Sequence, residues 1–600
     1  MLKLFARVFR SLPAKDKRRF IVLHVLMLCS SLAELAVLSL IPLLFLFFTA
    51  PATLKQSKAW QYVTQYIPEA TLENPTFVAV GILSCVLLSN GFIFWVNLKL
   101  NRFGANLIHN FGTKLFRYYL SKPYLFFTQI HSSQLTYNLY NELTRYCTGV
   151  ITPFLLLNTR LVLTVTLFLN LCFWDFTLSL SLAGIAFCIY GTFHVLTRKG
   201  LRELGASMSL DHNERARCMI TAFDGIKEIK QLGIENKFSL AYNTASTKVL
   251  ANLERHSKYT LAPKFVLETI TFIAIGVMLF QFKEGGDDNG TKLAMMVTYA
   301  LTGYRLMPSI QQIIGSQTTI KVSIASLDTI EKDLYAAESY SQQEQIPNSP
   351  SPLKIGIELN NVTFSYPNRP TEALRNITLS VKAGQRVAFV GRSGSGKTTL
   401  ADLILGLFQP SSGEILFDGQ KLRKNRPKWL NTLGYVPQQI FLTDASIAEN
   451  IAFGESAEHI DQTRLTNALK QAALYDFVQA LPQKERTTVG ERGVQLSGGQ
   501  RQRIGIARAL YRDTSVIIFD EASSALDGIT EKAIIESINS IDRNKTIITI
   551  AHRITTVRNC DWIFFFEHGA LKDQGTYEDL EMRVEDFKKM AGVDQTQEIG

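Results

Sequence analysis

Apolar residues are spread unevenly along the chain. Long uninterrupted apolar runs crowd the first 320 residues, whereas the last 245 alternate short apolar runs with glycines and charges. A hydrocarbon core takes about 20 apolar residues per helix, and six segments reach that length, near 20–48, 76–98, 149–173, 176–197, 262–283 and 292–314. Before them, Leu2, Leu4, Phe5, Val8, Phe9 and Leu12 fall on one helical face with Lys3, Arg7 and Arg10 opposite, a pattern that predicts an amphipathic helix on a membrane surface over 1–19. The loops 99–148 and 198–261 carry helical periodicity. This predicts helices that run past the membrane and turn back near Lys122 to Gln129 and near Phe223 to Lys230. The segment 50–75 predicts a short external helix, and Trp174 and Asp175 a tight turn.

Charge orients the spans. Residues 1–19 carry seven Lys or Arg against one acid, and 99–148 six against one, whereas 284–291 is acidic. The even number of spans and the positive-inside rule place both termini in the cytoplasm. The formal net charge of +11 therefore reads as loop charge facing the membrane rather than a nucleic-acid footprint. The seven cysteines show no CxxC spacing, which gives small buried side chains rather than a metal site. The basic start leads into an apolar run too long for the core of a cleavable signal, so the first span is expected to do the targeting.

Within the spans stand Glu34, Arg160, Glu268 and Arg305. A charge facing lipid costs at least about 2.5 kcal/mol, so these groups face a protein interior or a watery cavity. Two readings stay open: ion pairs between helices, Arg305 with Glu268 among them, or a site where the arginines hold an anionic substrate group.

A linker at 336–353, rich in Ser, Gln, Glu and Pro, separates a membrane domain over 20–335 from a soluble domain over 354–600. In the soluble part, the apolar strand Val387 to Val390 feeds into GRSGSGKTT (Gly391 to Thr399) and then an amphipathic helix, the context that confirms a phosphate-binding P-loop. Gly391, Ser393, Gly394, Ser395, Gly396, Lys397, Thr398 and Thr399 are the candidate nucleotide contacts: backbone amides from Gly394 to Thr398 around phosphates, Lys397 on β and γ oxygens, the Thr398 hydroxyl on Mg²⁺. The strand VIIFDE ends in Asp520, suited to Mg²⁺, and Glu521, placed to polarise an attacking water. A second glycine-rich helix start, GVQLSGGQRQRIGIARAL at Gly493 to Leu510, is another phosphate-binding geometry.

With LSGGQ at Leu496 to Gln500, YVPQ ending in Gln438, FSYP around Tyr366, SALD at Ser524 to Asp527, TVGERG at Thr488 to Gly493 and IAHR around His552, the soluble half resembles the cassettes of ATP-binding cassette (ABC) transporters. The resemblance implies a multidomain chain: a six-helix transmembrane domain of the exporter type followed by an α/β P-loop cassette with a helical subdomain. It implies that Tyr366 stacks on adenine, that Gln438 contacts Mg²⁺ and water, and that His552 and Glu521 act at the γ-phosphate. It also implies that Ser497, Gly498, Gly499 and Gln500, with Asp527 nearby, complete the nucleotide site of a partner chain. One P-loop and one signature per chain then mean a half-transporter, most simply a homodimer using ATP and Mg²⁺.

The membrane half is similar to flippases of lipid-linked oligosaccharides from bacterial inner membranes, the resemblance lying in TYALTGYRLMPSIQQII at Thr298 to Ile314. A polyprenyl pyrophosphate cargo would give Arg160 and Arg305 a phosphate to hold. Exporters of peptides, toxins, lipid A or drugs share the same cassette motifs. A soluble ABC ATPase handling nucleic acid is disfavoured by the six apolar runs.

Overall fold

The computed structural model describes residues 2–49, 64, 74–174, 176–283, 289–338, 352–367, 369, 371–490, 493–521, 528–551 and 554–597. Most of the expected external helix at 50–75, the linker from 339 to 351, Asp527 and His552 lie outside these residues. The chain divides into two compact units. The first is Met1–Lys122 with Phe127–Ser341, the second Pro123–Phe126 with Gln342–Gly600.

The first unit is helical: α1 (Leu2–Ser11), α2 (Ala14–Thr49), α3 (Pro75–Leu120), α4 (Thr152–Trp174), α5 (Phe176–Asp224), α6 (Glu235–Lys283) and α7 (Asn289–Glu338). Local chemistry sets several ends. Asn74 caps α3 by accepting a hydrogen bond from the Thr76 amide at 3.0 Å, with Pro75 in the first turn where its missing N–H costs nothing. Among the described residues, three helices are long and apolar enough to cross a membrane, within Ala14–Val37, Thr76–Leu120 and Ser132–Cys172. The other expected spans fall in α5, α6 and α7, whose side chains are described only in part.

The core of this unit joins Leu107, Phe111 and Leu115 of α3, Tyr146 and Leu155, and Leu327 and Ile330 of α7. Glycines allow the closest approaches: a Cβ on Gly205 of α5 would lie 2.5 Å from the Val322 carbonyl oxygen of α7. The amphipathic stripe expected over 1–19 is covered by protein rather than by a membrane surface at two positions, Val8 in α1 and Leu12 just after it, which are 0% and 1% exposed. The cause is a ready-made partner surface. Phe20 and Tyr146 belong to the same core, and Asp328 (2.7 Å) and Glu331 of α7 pair with Arg7 on the polar face.

The second unit holds two sheets. An antiparallel one has the order β2-β1-β4-β5, from β1 (Gly356–Ser365), β2 (Glu372–Lys382), β4 (Ser412–Phe417) and β5 (Gln420–Lys421). The other has the order β10-β9-β3-β8-β7-β6, from β3 (Arg386–Val390), β6 (Leu433–Val436), β7 (Val516–Asp520), β8 (Thr546–Ala551), β9 (Trp562–Glu567) and β10 (Ala570–Gly575). From β9 to β6 all pairs are parallel. Layers on both faces explain why VIIFD is apolar throughout until its last residue: every residue of β7 is buried. Helix α8 (Lys397–Ile404) follows β3, and α9 (Gly498–Tyr511) packs Ile504, Ile506, Ala507 and Leu510 into a second core that also holds Val436, Ile517 and Phe519 of the parallel sheet. Pro123–Phe126 joins this unit through Leu125, packed on the β-sheet core, and the Tyr124 ring, 5.7 Å from that of Phe408.

Candidate functional site

In an open parallel sheet, ligands bind outside the carboxyl ends of the strands. The register places Phe389, Ile550 and Asp520 level on β3, β8 and β7. The loop after β3 therefore opens beside the end of β7, and β6 delivers Gln438 to the same edge.

The loop after β3 is a backbone cradle. Gly394 and Gly396 adopt φ of 81° and 100°, and a Cβ on Gly391 would lie 2.2 Å from the Phe566 carbonyl oxygen, so no side chain fits at the strand exit. Lys397, only 3% exposed, folds back to donate to the carbonyls of Gly391 (2.6 Å) and Arg392 (3.0 Å). Burial pulls its ammonium below the usual lysine range, with Glu521 and Asp520 acting the other way. Ser395 Oγ is buried without a hydrogen-bond partner. An orphaned hydroxyl, a buried ammonium and free amides at a helix start together fit an anion with several oxygens.

Opposite stand the acids. Asp520, 4% exposed, accepts from the Tyr435 hydroxyl at 3.3 Å, and burial, then the Glu521 charge, raises its pKa. Glu521 lies at φ 50°, its amide donating to the Ile550 carbonyl at 3.0 Å and its carboxylate accepting from Gln438 Nε2 at 2.6 Å. With the Thr398 hydroxyl, the Asp520 carboxylate offers hard oxygen donors that fit Mg²⁺ shared with phosphates.

The Tyr366 hydroxyl and Thr399 Oγ1 share a hydrogen bond of 3.1 Å, and the ring is held edge-on by Phe364 and Phe408. Ser497 caps α9: its Oγ accepts from the Gln500 amide (3.2 Å), and Gln500 Oε1 accepts from the Ser497 amide (2.9 Å). Ser497 and Gly498 are exposed, so this helix start is open to a ligand.

Two residues of the site went unnoticed in the sequence. Tyr435 reaches Asp520 from β6, and burial raises its hydroxyl pKa. Asp402 lies one helical turn beyond Thr398; burial, with Asp520 adding to it, lifts its carboxyl to about 6. The spacing from Thr398 was the available signal.

In the helical unit, Glu34, Arg160 and Arg305 come together from α2, α4 and α7. Glu34 accepts from both arginines at 3.2 Å, and Arg160 Nε donates to Gln312 Oε1 at 2.7 Å. Glu268 is not part of the cluster. It faces Lys264 on its own helix at 3.9 Å, so the Arg305–Glu268 pair left open by the sequence is not formed and Arg305 pairs with Glu34 instead.

Comparison with known proteins agrees with this architecture. Residues 24–281 match the ABC transporter transmembrane region, and residues 374–524 the ABC transporter cassette. The chain is 31% identical over 510 residues to the ATP-dependent lipid A-core flippase of Saccharophagus degradans, covering 84% of each. It is an ABC transporter. Another relative is the heterocyst differentiation ATP-binding protein HepA of a Nostoc species, 31% identical over 535 residues, with 84% of this chain and 82% of that one covered. The fold superposes on a bacterial Atm1-family ABC exporter with ATP bound at a TM-score of 0.76 and 24% identity, covering 96% and 98% of the two chains. Like other ABC transporters, the protein binds nucleotide and couples ATP hydrolysis to transport, and it carries one membrane half and one cassette on a single chain.

Proposed function

We propose that this ABC transporter is a flippase for a phosphate-bearing lipid, with a lipid-linked oligosaccharide as its cargo. It works as a homodimer in a bacterial inner membrane, with its termini and cassette in the cytoplasm. The observation that carries the reading is the cluster of two arginines and one glutamate, a net charge of +1 drawn from three helices. Glu34 is 13% and Arg160 24% exposed, while Arg305 remains 43% open. A structural ion pair needs one arginine; the second leaves a guanidinium whose planar fork matches a phosphate. Glu34 holds both in place until a phosphate group exchanges for it.

In the cassette, the amides from Gly394 to Thr398, with Gly391, Ser393 and Thr399 shaping the loop, bind the phosphates. Lys397 leaves its two carbonyls for phosphate oxygens, and Tyr366 stacks on adenine. Thr398 and Asp520, with Gln438 alongside, would hold Mg²⁺, which would supply charge neutralisation at the phosphates. Glu521 orients and polarises water, its carboxylate positioned by Gln438, and His552 contacts the γ-phosphate. Ser497, Gly498, Gly499 and Gln500 of one protomer, with Asp527, close over the nucleotide of the other.

The lipid A-core flippases among the relatives favour a second cargo, lipid A, which shares the phosphate but not the polyprenyl chain. Proteoliposomes with a fluorescent lipid-linked oligosaccharide or fluorescent lipid A separate the two. ATP-dependent translocation of the first, lost in Arg305→Ala while ATP hydrolysis persists, supports the proposal. Translocation of lipid A alone replaces the cargo, and an Arg305→Ala protein that transports normally returns the cluster to a structural role.

A further inference from the structure

A cavity of about 560 Å³ opens between α2 and α3, lined by Arg18, Arg19, Lys99 and Arg102 above Val22, Leu26, Trp95 and Phe103. It shares no residue with the Glu34 cluster or the cassette. No carboxylate is among its lining residues; Arg19 sees one acid, Asp16, at 3.6 Å, and Asp16 Oδ2 also accepts from Asn110. The lining therefore keeps a charge of at least three beyond that pair.

Its place along the chain fixes its depth. Arg18 and Arg19 end the basic stretch immediately before Phe20, Ile21 and Val22, and Lys99 and Arg102 follow the apolar run that ends at Leu98. The four cations thus stand where both helices leave the hydrocarbon on the side of the amino terminus, with the apolar lining just inside it. Trp95 marks that level, and its ring lies 5.3 Å from the Lys99 ammonium. Val22 and Trp95 remain 52% and 44% exposed, so the apolar floor continues to the outside of the bundle.

We propose that this cavity is a binding site for an anionic glycerophospholipid of the leaflet on the amino-terminal side, distinct from the transported cargo. Arg18, Arg19 and Arg102 hold the headgroup phosphodiester, Lys99 a second headgroup oxygen, and an acyl chain lies along Val22, Leu26 and Trp95. Charge selects the occupant. A zwitterionic lipid brings a choline or ethanolamine cation into a ring of four cations, whereas phosphatidylglycerol brings only the anion. Free phosphate would satisfy the cations and leave the apolar floor unused.

The test uses the full chain in nanodiscs of mixed phosphatidylcholine and phosphatidylglycerol, with spin-labelled versions of each as probes. The expected result is that immobilised phosphatidylglycerol exceeds immobilised phosphatidylcholine by at least about fivefold, the ratio that the roughly 1 kcal/mol of a single interfacial cation gives. That ratio falls towards one in Arg18→Gln/Arg102→Gln and persists in Arg255→Gln/Lys258→Gln, which removes the same charge from exposed positions elsewhere. Should the double variant fail to assemble, Lys99→Gln alone is expected to lower the ratio. Equal preference in wild type, or a ratio unmoved by Arg18→Gln/Arg102→Gln or by Lys99→Gln, overturns the proposal. Displacement of the labelled lipid by millimolar inorganic phosphate overturns the lipid as occupant and leaves a phosphate site.

Discussion

Glu521 sits in the left-handed backbone region at φ 50°, which costs a non-glycine residue about 1–2 kcal/mol, and hydrogen bonds to Ile550 and Gln438 hold it there. A side chain fixed so firmly at the carboxyl end of β7 is suited to directing one water. On the role proposed for Glu521, Glu521→Gln keeps the shape but loses the base, so ATP hydrolysis is expected to fall about 10²- to 10⁴-fold with nucleotide binding intact. Steady-state phosphate release alongside fluorescent-ATP binding measures both, and wild-type turnover would remove Glu521 from that role. Lys397→Ala acts earlier. Loss of charge-assisted bonds to phosphate is expected to weaken ATP binding about ten- to a hundredfold, read by calorimetry, and an unchanged affinity would sink the P-loop assignment. The P-loop and VIIFDE were legible because each carries its chemistry within a few consecutive residues. Tyr435 was not, because its proximity to Asp520 depends on strand order, and Asp402 offered only its one-turn spacing from Thr398, which places it on the same face of α8 without revealing that Asp520 packs beside it.

At the scale of elements, periodicity revealed which faces are apolar but not what covers them. The stripe on α1 reads the same whether lipid or protein meets it, and only the packed structure supplies Tyr146, Phe20 and the acids of α7. Glu34 likewise waits on partners 126 and 271 residues away. Relative to exposure to water, burying Val8 and Leu12 contributes about 1.5–3 kcal/mol each. The contact between α5 and α7 at Gly205 is a close backbone contact that can be tested. Gly205→Val must push the Val322 backbone away, and a loss of about 1–3 kcal/mol is expected, seen as a lower melting temperature of the detergent-solubilised protein. An unchanged melting temperature would mean that the helices have slack there.

For the whole molecule, each chain holds one P-loop, on the core that Val516 and Ile518 share, and one signature helix, on the second core that holds Ile517 and Phe519. If signature and P-loop meet across a dimer, two broken chains can repair each other. A Lys397→Ala chain and a Ser497→Arg chain, each inactive alone, leave one intact composite site in every mixed dimer. Random pairing of equal amounts is then expected to restore about a quarter of wild-type hydrolysis if the two sites work independently. Absence of any recovery would place both motifs of a site on one chain.

The length of α5 and α6 sets a mechanical scale for such a machine. Each has 49 residues, about 74 Å at 1.5 Å per residue, against a hydrocarbon slab of about 30 Å. Roughly 40 Å of each rod therefore stands clear of the oil, where it can be pushed without disturbing lipid. Pivoted at the slab's edge, a swing of about 10° carries the far end through about 7 Å, more than one helical turn of travel. Converting a small displacement of a rigid arm into a change of the same order inside the membrane needs no melting of the helix, only stiffness maintained along its whole length.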